Sequence, residues 1–360
     1  MISHENRFET VSYLLYFFRR MRHKIILLII LSFIACPALA ENEFYPYIFN
    51  PGNRELNPVF LVIKAEQKML LFDFRHGQYP KLMESYRITT GRVSGNKQRE
   101  GDLKTPEGVY RIIRQLGDEK LPPKYGPRAY ILDYPNFVDR FFGRTGSNIW
   151  IHGRDEAIED FRTEGCVSLE NGLVEELQRF VTNGGSYVVI VDSVSRVDSS
   201  RYTESVANWQ QRIYQWADAW EEGALENYFA TYHSRFLNGG ASLKAFKSRK
   251  ARLEQRYAWK SITIDSLLIL QSESEAVAIF DQLYCSPNFR SYGEKQLTFV
   301  KNDGEWKIIR EQYRDYKPRI EYSHELEAFV SQWRKAWESK DIDHYMACLL
   351  YTSDAADEED

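Results

Sequence analysis

Two side chains in this sequence stand where an acyl-transfer reaction needs them. Ile149-Trp150-Ile151-His152-Gly153 is a short apolar run that delivers a histidine at its end beside a glycine, and a loop leads from it to Thr163-Glu164-Gly165-Cys166-Val167-Ser168-Leu169. The thiol follows the imidazole by fourteen positions. A thiol attacks a carbonyl as its thiolate, and an imidazole within reach can take the thiol proton and later return it to a leaving amine. Gly165 lets the backbone turn tightly before the cysteine, so that main-chain N–H groups can face a developing oxyanion. Taken singly, the cysteine reads as a buried core thiol and the histidine as a hydrogen-bonded structural residue. Together they favour a nucleophile and its base.

This arrangement resembles the signature of the L,D-transpeptidase (YkuD-type) catalytic domain, a histidine-glycine pair followed by Ser/Thr-x-Gly-Cys. His152, Gly153, Thr163, Gly165 and Cys166 occupy its positions in order. Upstream, Gly91 and Lys104-Thr105-Pro106-Glu107-Gly108-Val109-Tyr110 look like that family's Thr-Pro-x-Gly strand entrance, and Tyr130 with Arg144-Thr145-Gly146 looks like the version in members with long inserts. The resemblance spans residues 57–193 and implies a substrate: the stem peptide of peptidoglycan. It implies that Cys166 attacks the carbonyl of the diamino acid at position three of a tetrapeptide and releases the terminal D-alanine. His152 then serves as base and later acid, with the Gly153 carbonyl on its other ring nitrogen and the Gly165 and Cys166 amides at the oxyanion. Tyr130, Arg144, Arg154, Thr163 and Ser168 are the substrate-binding candidates. An amine from a second stem would resolve the thioester as a cross-link, which is L,D-transpeptidase activity; water would resolve it as a tripeptide, which is L,D-carboxypeptidase activity. Many members carry Arg two residues after the cysteine where this chain has Ser168, so both fates stay open and Arg144 or Arg154 is the substitute cation. A non-catalytic wall-binding scaffold and a general cysteine protease are the competing readings. No cofactor or metal is expected, since no His-x-x-x-His spacing occurs.

The elements that must hold this pair are mostly strands. Val59–Ile63, Met69–Phe72, Val109–Ile113, Ile149–Ile151 and Tyr187–Val191 are short apolar runs between turn residues. One helix interrupts them: Asn171 can cap it, Leu173, Val174, Leu177, Phe180 and Val181 share a face, and Gly184-Gly185 ends it. The expected fold class is a mostly β catalytic domain over 57–193, a YkuD-like β-sandwich or partly closed sheet with a packed helix, preceded by an N-terminal segment (41–56). A polar Ser-rich linker (194–204) separates it from an α+β domain over 205–316. There an aromatic amphipathic helix, Val206–Trp220, precedes four strands, Ile262–Leu270, Glu275–Tyr284, Lys295–Val300 and Glu305–Arg310. That pattern resembles the NTF2-like fold, and the resemblance implies a conical pocket able to take a glycan or peptide. Relatives that join these two domains include L,D-carboxypeptidases that shape curved and helical bacteria. Trp216 and Trp220, one turn apart, read first as core. Laying residue 216 on 333 superposes Trp216, Ala219, Trp220, Glu221 and Tyr228 on Trp333, Ala336, Trp337, Glu338 and Tyr345, so 322–348 reads as a truncated second NTF2-like repeat and 349–360 as a disordered or foreign tail.

The expected setting is extracytoplasmic. Basic Met21-Arg22-His23-Lys24, the apolar run Ile25–Ala35 and Ala38-Leu39-Ala40 form an export signal cut after Ala40, with Met21 a candidate true start. Periplasm or cell envelope is the expected location. Of Cys36, Cys166, Cys285 and Cys348, cleavage removes the first, so at least one of the other three is unpaired in an oxidising compartment. Net charge is −4, and residues 1–24 hold five basic side chains against two acidic ones, so the remainder carries −7 and no nucleic-acid surface is expected. His76, in Arg75-His76-Gly77, reads as a solvated turn residue.

Overall fold

A computed structural model describes residues 44–52, 54, 58–73, 79–257, 259–287, 289–316 and 337–342. The expected export signal with Cys36, the turn at His76, Cys348, most of the second repeat and the 349–360 tail lie outside the described residues.

The first strand, β1 (Ile48–Phe49), comes from the N-terminal segment and is fully buried. The catalytic domain follows with β2 (Val59–Ile63), β3 (Lys68–Asp73), β4 (Lys81–Arg87), β5 (Gly108–Gly117), β6 (Arg128–Leu132), β7 (Trp150–Arg154), β8 (Val167–Glu170) and β9 (Tyr187–Val191). They form one eight-stranded sheet in the order β4-β3-β2-β9-β5-β6-β7-β8. β2 and β9 are parallel and buried at every position, which is why both read as unbroken apolar runs rather than alternating ones. The sheet is partly closed: Thr89, just beyond β4, exchanges backbone hydrogen bonds of 2.8 and 2.9 Å with Ser168 of β8. Phe60, Val62, Leu71, Tyr110, Ile151 and Leu169 belong to the core it encloses.

Three strands of this sheet were not expected from sequence. β4 is mostly exposed and polar, β6 opens on an arginine, and β8 is only four residues long, so none carries a strong period. The helix expected to run past Phe180 is shorter: α2 (Asn171–Glu176) passes into a 3-10 turn at Leu177–Arg179. Asn171 is the first residue of the helix rather than its cap, which falls on Glu170, and its side-chain amide donates to Asp155. A further helix, α1 (Phe137–Phe141), starts at a capping box in which Asn136 accepts from the Asp139 N–H and the Asp139 carboxylate accepts from the Asn136 N–H.

In the second domain α3 (Ser199–Glu221) begins inside the segment expected to be linker. Phe44 bridges Val197, and its ring lies 5.0 Å from that of Tyr202. After α3 come α4 (Leu225–Ala230), a small hairpin of β10 (Leu237–Asn238) and β11 (Ala241–Ser242), and α5 (Leu243–Arg256). The four long strands β12 (Ser261–Gln271), β13 (Glu275–Ser286), β14 (Phe289–Asn302) and β15 (Glu305–Asp315) run antiparallel, with β1 as the fifth at the edge beside β12. Trp216, Tyr228, Phe236, Phe280 and Phe299 are buried there, with Trp216 donating its indole N–H to Tyr232 at 2.9 Å. This is the α+β, NTF2-like arrangement.

Candidate active site

β7 and β8 bring the histidine and the cysteine together. They pair in parallel, Ile151 beside Val167 and His152 beside Ser168, and Cys166 immediately precedes β8. Because side chains alternate along a strand, Cys166 projects to the same face as His152, two positions along the ladder. The His152 ring is buried and its Nδ1 lies 2.7 Å from the Gly153 carbonyl oxygen. A carbonyl only accepts, so Nδ1 carries the hydrogen and Nε2 keeps its lone pair for a proton. Burial pushes the imidazole down to about 4, and the Arg154 and Lys124 charges add to the shift against the Gly153 bond. The Tyr125 ring meets the imidazole in a T-shaped contact, 5.0 Å between ring centres, and covers one side of it.

The thiol is half-buried and donates to the Asn148 carbonyl oxygen at 3.4 Å. Desolvation pushes it up to about 11, opposed by the Trp150 N–H and by Lys97 and Lys124. With the base depressed and the thiol raised, the resting pair is neutral.

The turn before the nucleophile is built by Thr163 and Gly165. Thr163 Oγ1 donates to the Cys166 carbonyl at 2.6 Å and accepts from the Gly165 N–H at 3.2 Å. Gly165 has φ +133°, and a Cβ there would stand 2.8 Å from the Lys104 carbonyl oxygen. Its N–H is thus committed to the turn rather than to an oxyanion, which leaves the Cys166 amide as the main-chain candidate. Gly153 is required for a different reason: a Cβ would stand 2.3 Å from Asn171 Oδ1, at the start of α2.

The other candidates are placed as follows. Ser168 is fully buried and its hydroxyl has no hydrogen-bond partner among the described residues. Arg154, at the end of β7, pairs with Glu156. Tyr130 and Arg144 are not brought to the pair. Tyr130 is in register with Ile151, so it shares the core face of β7 and not the His152 face; it is fully buried and donates to the Val174 carbonyl at 2.9 Å. Arg144 is held 3.0 Å from the buried Asp139 carboxylate, which makes it part of the α1 packing. Three neighbours were missed in the sequence. Lys97 is buried and paired with Asp102 at 2.7 Å; against the upward effect of burial, Lys97 and the N–H groups of Gln98, Arg99 and Lys104 hold Asp102 at about 2. Lys124 and Tyr125 lie in a 3-10 turn, Pro123–Tyr125, whose Pro-Pro and Gly flanks are a turn signal but carry no sign of a site.

The second domain has its own polar interior. Glu311 is buried and accepts from Tyr228 at 3.1 Å, from Tyr232, and from Lys295 at 2.5 Å. Lys250 lies 3.3 Å from the Trp220 ring centre, and burial brings its ammonium down to about 7. Trp216 is core, whereas Trp220 is only half-buried and stacks on Tyr284 at 5.4 Å.

Residues 57–191 match the family model of the L,D-transpeptidase catalytic domain (YkuD), and residues 208–312 match that of the Cds6 C-terminal NTF2-like domain. A curated relative, the putative L,D-transpeptidase YafK of Escherichia coli K12, is 31% identical over 169 residues, or 46% of this chain; the chain spans 63% of that relative's length. Among solved structures, Bdellovibrio bacteriovorus Bd1075 superposes with a TM-score of 0.71 at 26% identity, over 77% of this chain and all of that one. The helical cell shape determining protein Pgp2 of Campylobacter jejuni superposes with a TM-score of 0.56 at 24% identity, over 76% of this chain and 94% of that one, a likeness of fold.

Proposed function

We propose that this chain, which carries an L,D-transpeptidase catalytic domain ahead of an NTF2-like domain, is an exported enzyme that uses Cys166 to cleave the bond between the diamino acid and terminal D-alanine of peptidoglycan stem tetrapeptides. The observation that carries this is the shared face of His152 and Cys166 on β7 and β8, with Nδ1 of the histidine held by Gly153. In the proposed cycle, His152 Nε2 takes the thiol proton as sulfur attacks the carbonyl carbon, and the Cys166 amide faces the oxyanion. The C–N bond breaks, the proton passes from His152 to the departing D-alanine amine, and a thioester on Cys166 remains. An incoming amine regenerates the thiol and gives a cross-link, the L,D-transpeptidase outcome.

One observation favours the second outcome, hydrolysis by water. Ser168 fills the position where many relatives carry arginine, and both substitute cations, Arg144 and Arg154, are already paired with carboxylates. The NTF2-like interior around Trp220, Lys250 and Glu311 is proposed as a place for a wall glycan or peptide. Incubation with disaccharide-tetrapeptide followed by mass spectrometry separates the fates. Dimer formation means transfer and tripeptide alone means hydrolysis, and either should fall at least ~1000-fold in Cys166→Ala. Unchanged substrate with the intact enzyme would leave the scaffold reading.

A further inference from the structure

A second cleft lies away from Cys166, where α1 of the catalytic domain meets the β10–β11 hairpin of the NTF2-like domain. Its volume is about 520 Å³, and Phe137, Arg140, Phe141, Arg235, Phe236 and Leu237 line it. That is within the range of small-ligand sites. Arg235 donates to the Phe141 carbonyl at 2.6 Å and its guanidinium carbon lies 4.1 Å from the Phe141 ring centre; Arg140 donates to the Pro135 carbonyl. Arg310 approaches from β15, 4.7 Å from the Phe137 ring centre. Each guanidinium is thus fixed by carbonyls and rings rather than by a counter-charge. Among the described residues none of the three forms an ion pair, whereas Arg144, next along the chain from α1, is paired with Asp139.

The consequence is visible in their neighbours. Arg310 is held below its ordinary value by desolvation and then by Arg140, and His233 by desolvation and then by Arg235. No carboxylate contributes to either. Cations gathered without an acid repel one another, and an oxyanion between them relieves the repulsion while engaging the planar forks bidentately. The aromatic rings add apolar surface for the body that bears the anion.

We propose that this cleft binds the free carboxylate end of a wall stem peptide, holding a second strand of the polymer beside the molecule while Cys166 works on the first. The choice of a peptide rests on the functional reading above; the choice of an anion rests on the cleft alone. A concave pocket between α1 and the hairpin, lined by Phe137, Phe141 and Phe236 as well as by guanidiniums, offers apolar walls for a peptide end that a lipid headgroup would leave unused.

Arginine modification by phenylglyoxal, mapped by mass spectrometry on the full chain, tests it. Disaccharide-tetrapeptide should slow modification of Arg140 and Arg235 at least fivefold, while Arg162, an exposed residue paired with Glu159, should be unaffected. No protection, or protection by phosphatidylglycerol vesicles and not by the peptide, would overturn the proposal. The double variant Arg140→Gln/Arg235→Gln should bind purified sacculi at least tenfold more weakly, yet turn over soluble disaccharide-tetrapeptide within twofold of the parent. Arg140→Lys/Arg235→Lys should restore most of the sacculus binding, and equal loss in both variants would overturn the charge assignment. If the parent turns nothing over but the protection persists, the functional reading fails and the anion site stands.

Discussion

His152 enters the proposed reaction as a neutral base because the fold keeps water and counter-charge away from it. A base works deprotonated, so activity is present above its pKa and lost as pH falls through it. With burial holding the imidazole at about 4, the acid limb of kcat/KM should sit near pH 4 rather than near the ordinary 6.5. Opening the site should raise that limb: Tyr125→Ala removes the ring whose centre lies 5.0 Å from that of the imidazole and lets water in, moving the limb up by about one pH unit. Profiles of kcat/KM from pH 3.5 to 8 decide it, and a wild-type limb between 6 and 7 would mean the base is solvated in the working enzyme. The residues of the pair were legible in the sequence because their whole signature is local: a histidine-glycine dipeptide at a strand end and a glycine-cysteine turn. Tyr125, Lys97 and Lys124 were not, because they reach the pair only through folding of distant loops, and nothing in Pro-Pro-Lys-Tyr-Gly names its partner.

Register decides which candidates become contacts. One residue of parity separates Ile151, which faces the core with Tyr130, from His152, which faces the thiol. A sequence shows that Tyr130 is aromatic but not which of two faces it takes when β6 itself is too weakly patterned to be seen. The long strands were easier: β13 and β15 were expected to start at Glu275 and Glu305 and they do. Glu275 itself could not be read, since a charged residue opening a strand is ordinarily solvated. It is fully buried instead, with Oε1 accepting from the Val109 N–H of β5 and from Asn136 at 3.4 Å, and with Oε2 unpartnered among the described residues. Burial pushes its carboxyl up to about 8, from an ordinary 4.5. A raised pKa means that its contribution to stability is fully present below pH 4.5 and is lost as pH climbs toward 8. Glu275→Gln keeps the acceptor and cannot ionise. Urea unfolding across pH 4.5 to 8 should show the wild type losing on the order of 2–4 kcal/mol relative to this variant, and parallel stability curves would show that the carboxyl is ionised and solvated after all.

At the scale of the molecule, the catalytic domain is held to the NTF2-like domain by more than Glu275. Val138 and Phe141 of α1 form one apolar cluster with Val300 of β14 and Ile309 of β15, and Phe137 packs against it. The N-terminal segment contributes as well, since β1 extends the NTF2-like sheet and Arg54 pairs with Asp281 at 2.9 Å and Glu294 at 2.5 Å. That pairing joins a strand from before the catalytic domain to a sheet that follows it, a long-range connection no local pattern could reveal. Such an interface should make the two domains unfold together. Ile309→Ala leaves a void in a cluster that both domains build, at a cost of roughly 2–4 kcal/mol. Separate probes can follow each side: in a Trp150→Phe background every remaining tryptophan lies after residue 205 and reports by fluorescence on the NTF2-like side, and labelling of Cys166 reports on the catalytic one. Both should shift to lower temperature by the same amount in Ile309→Ala. A shift in tryptophan emission alone would show that the catalytic domain stands without its neighbour, and the cluster would then be contact without coupling.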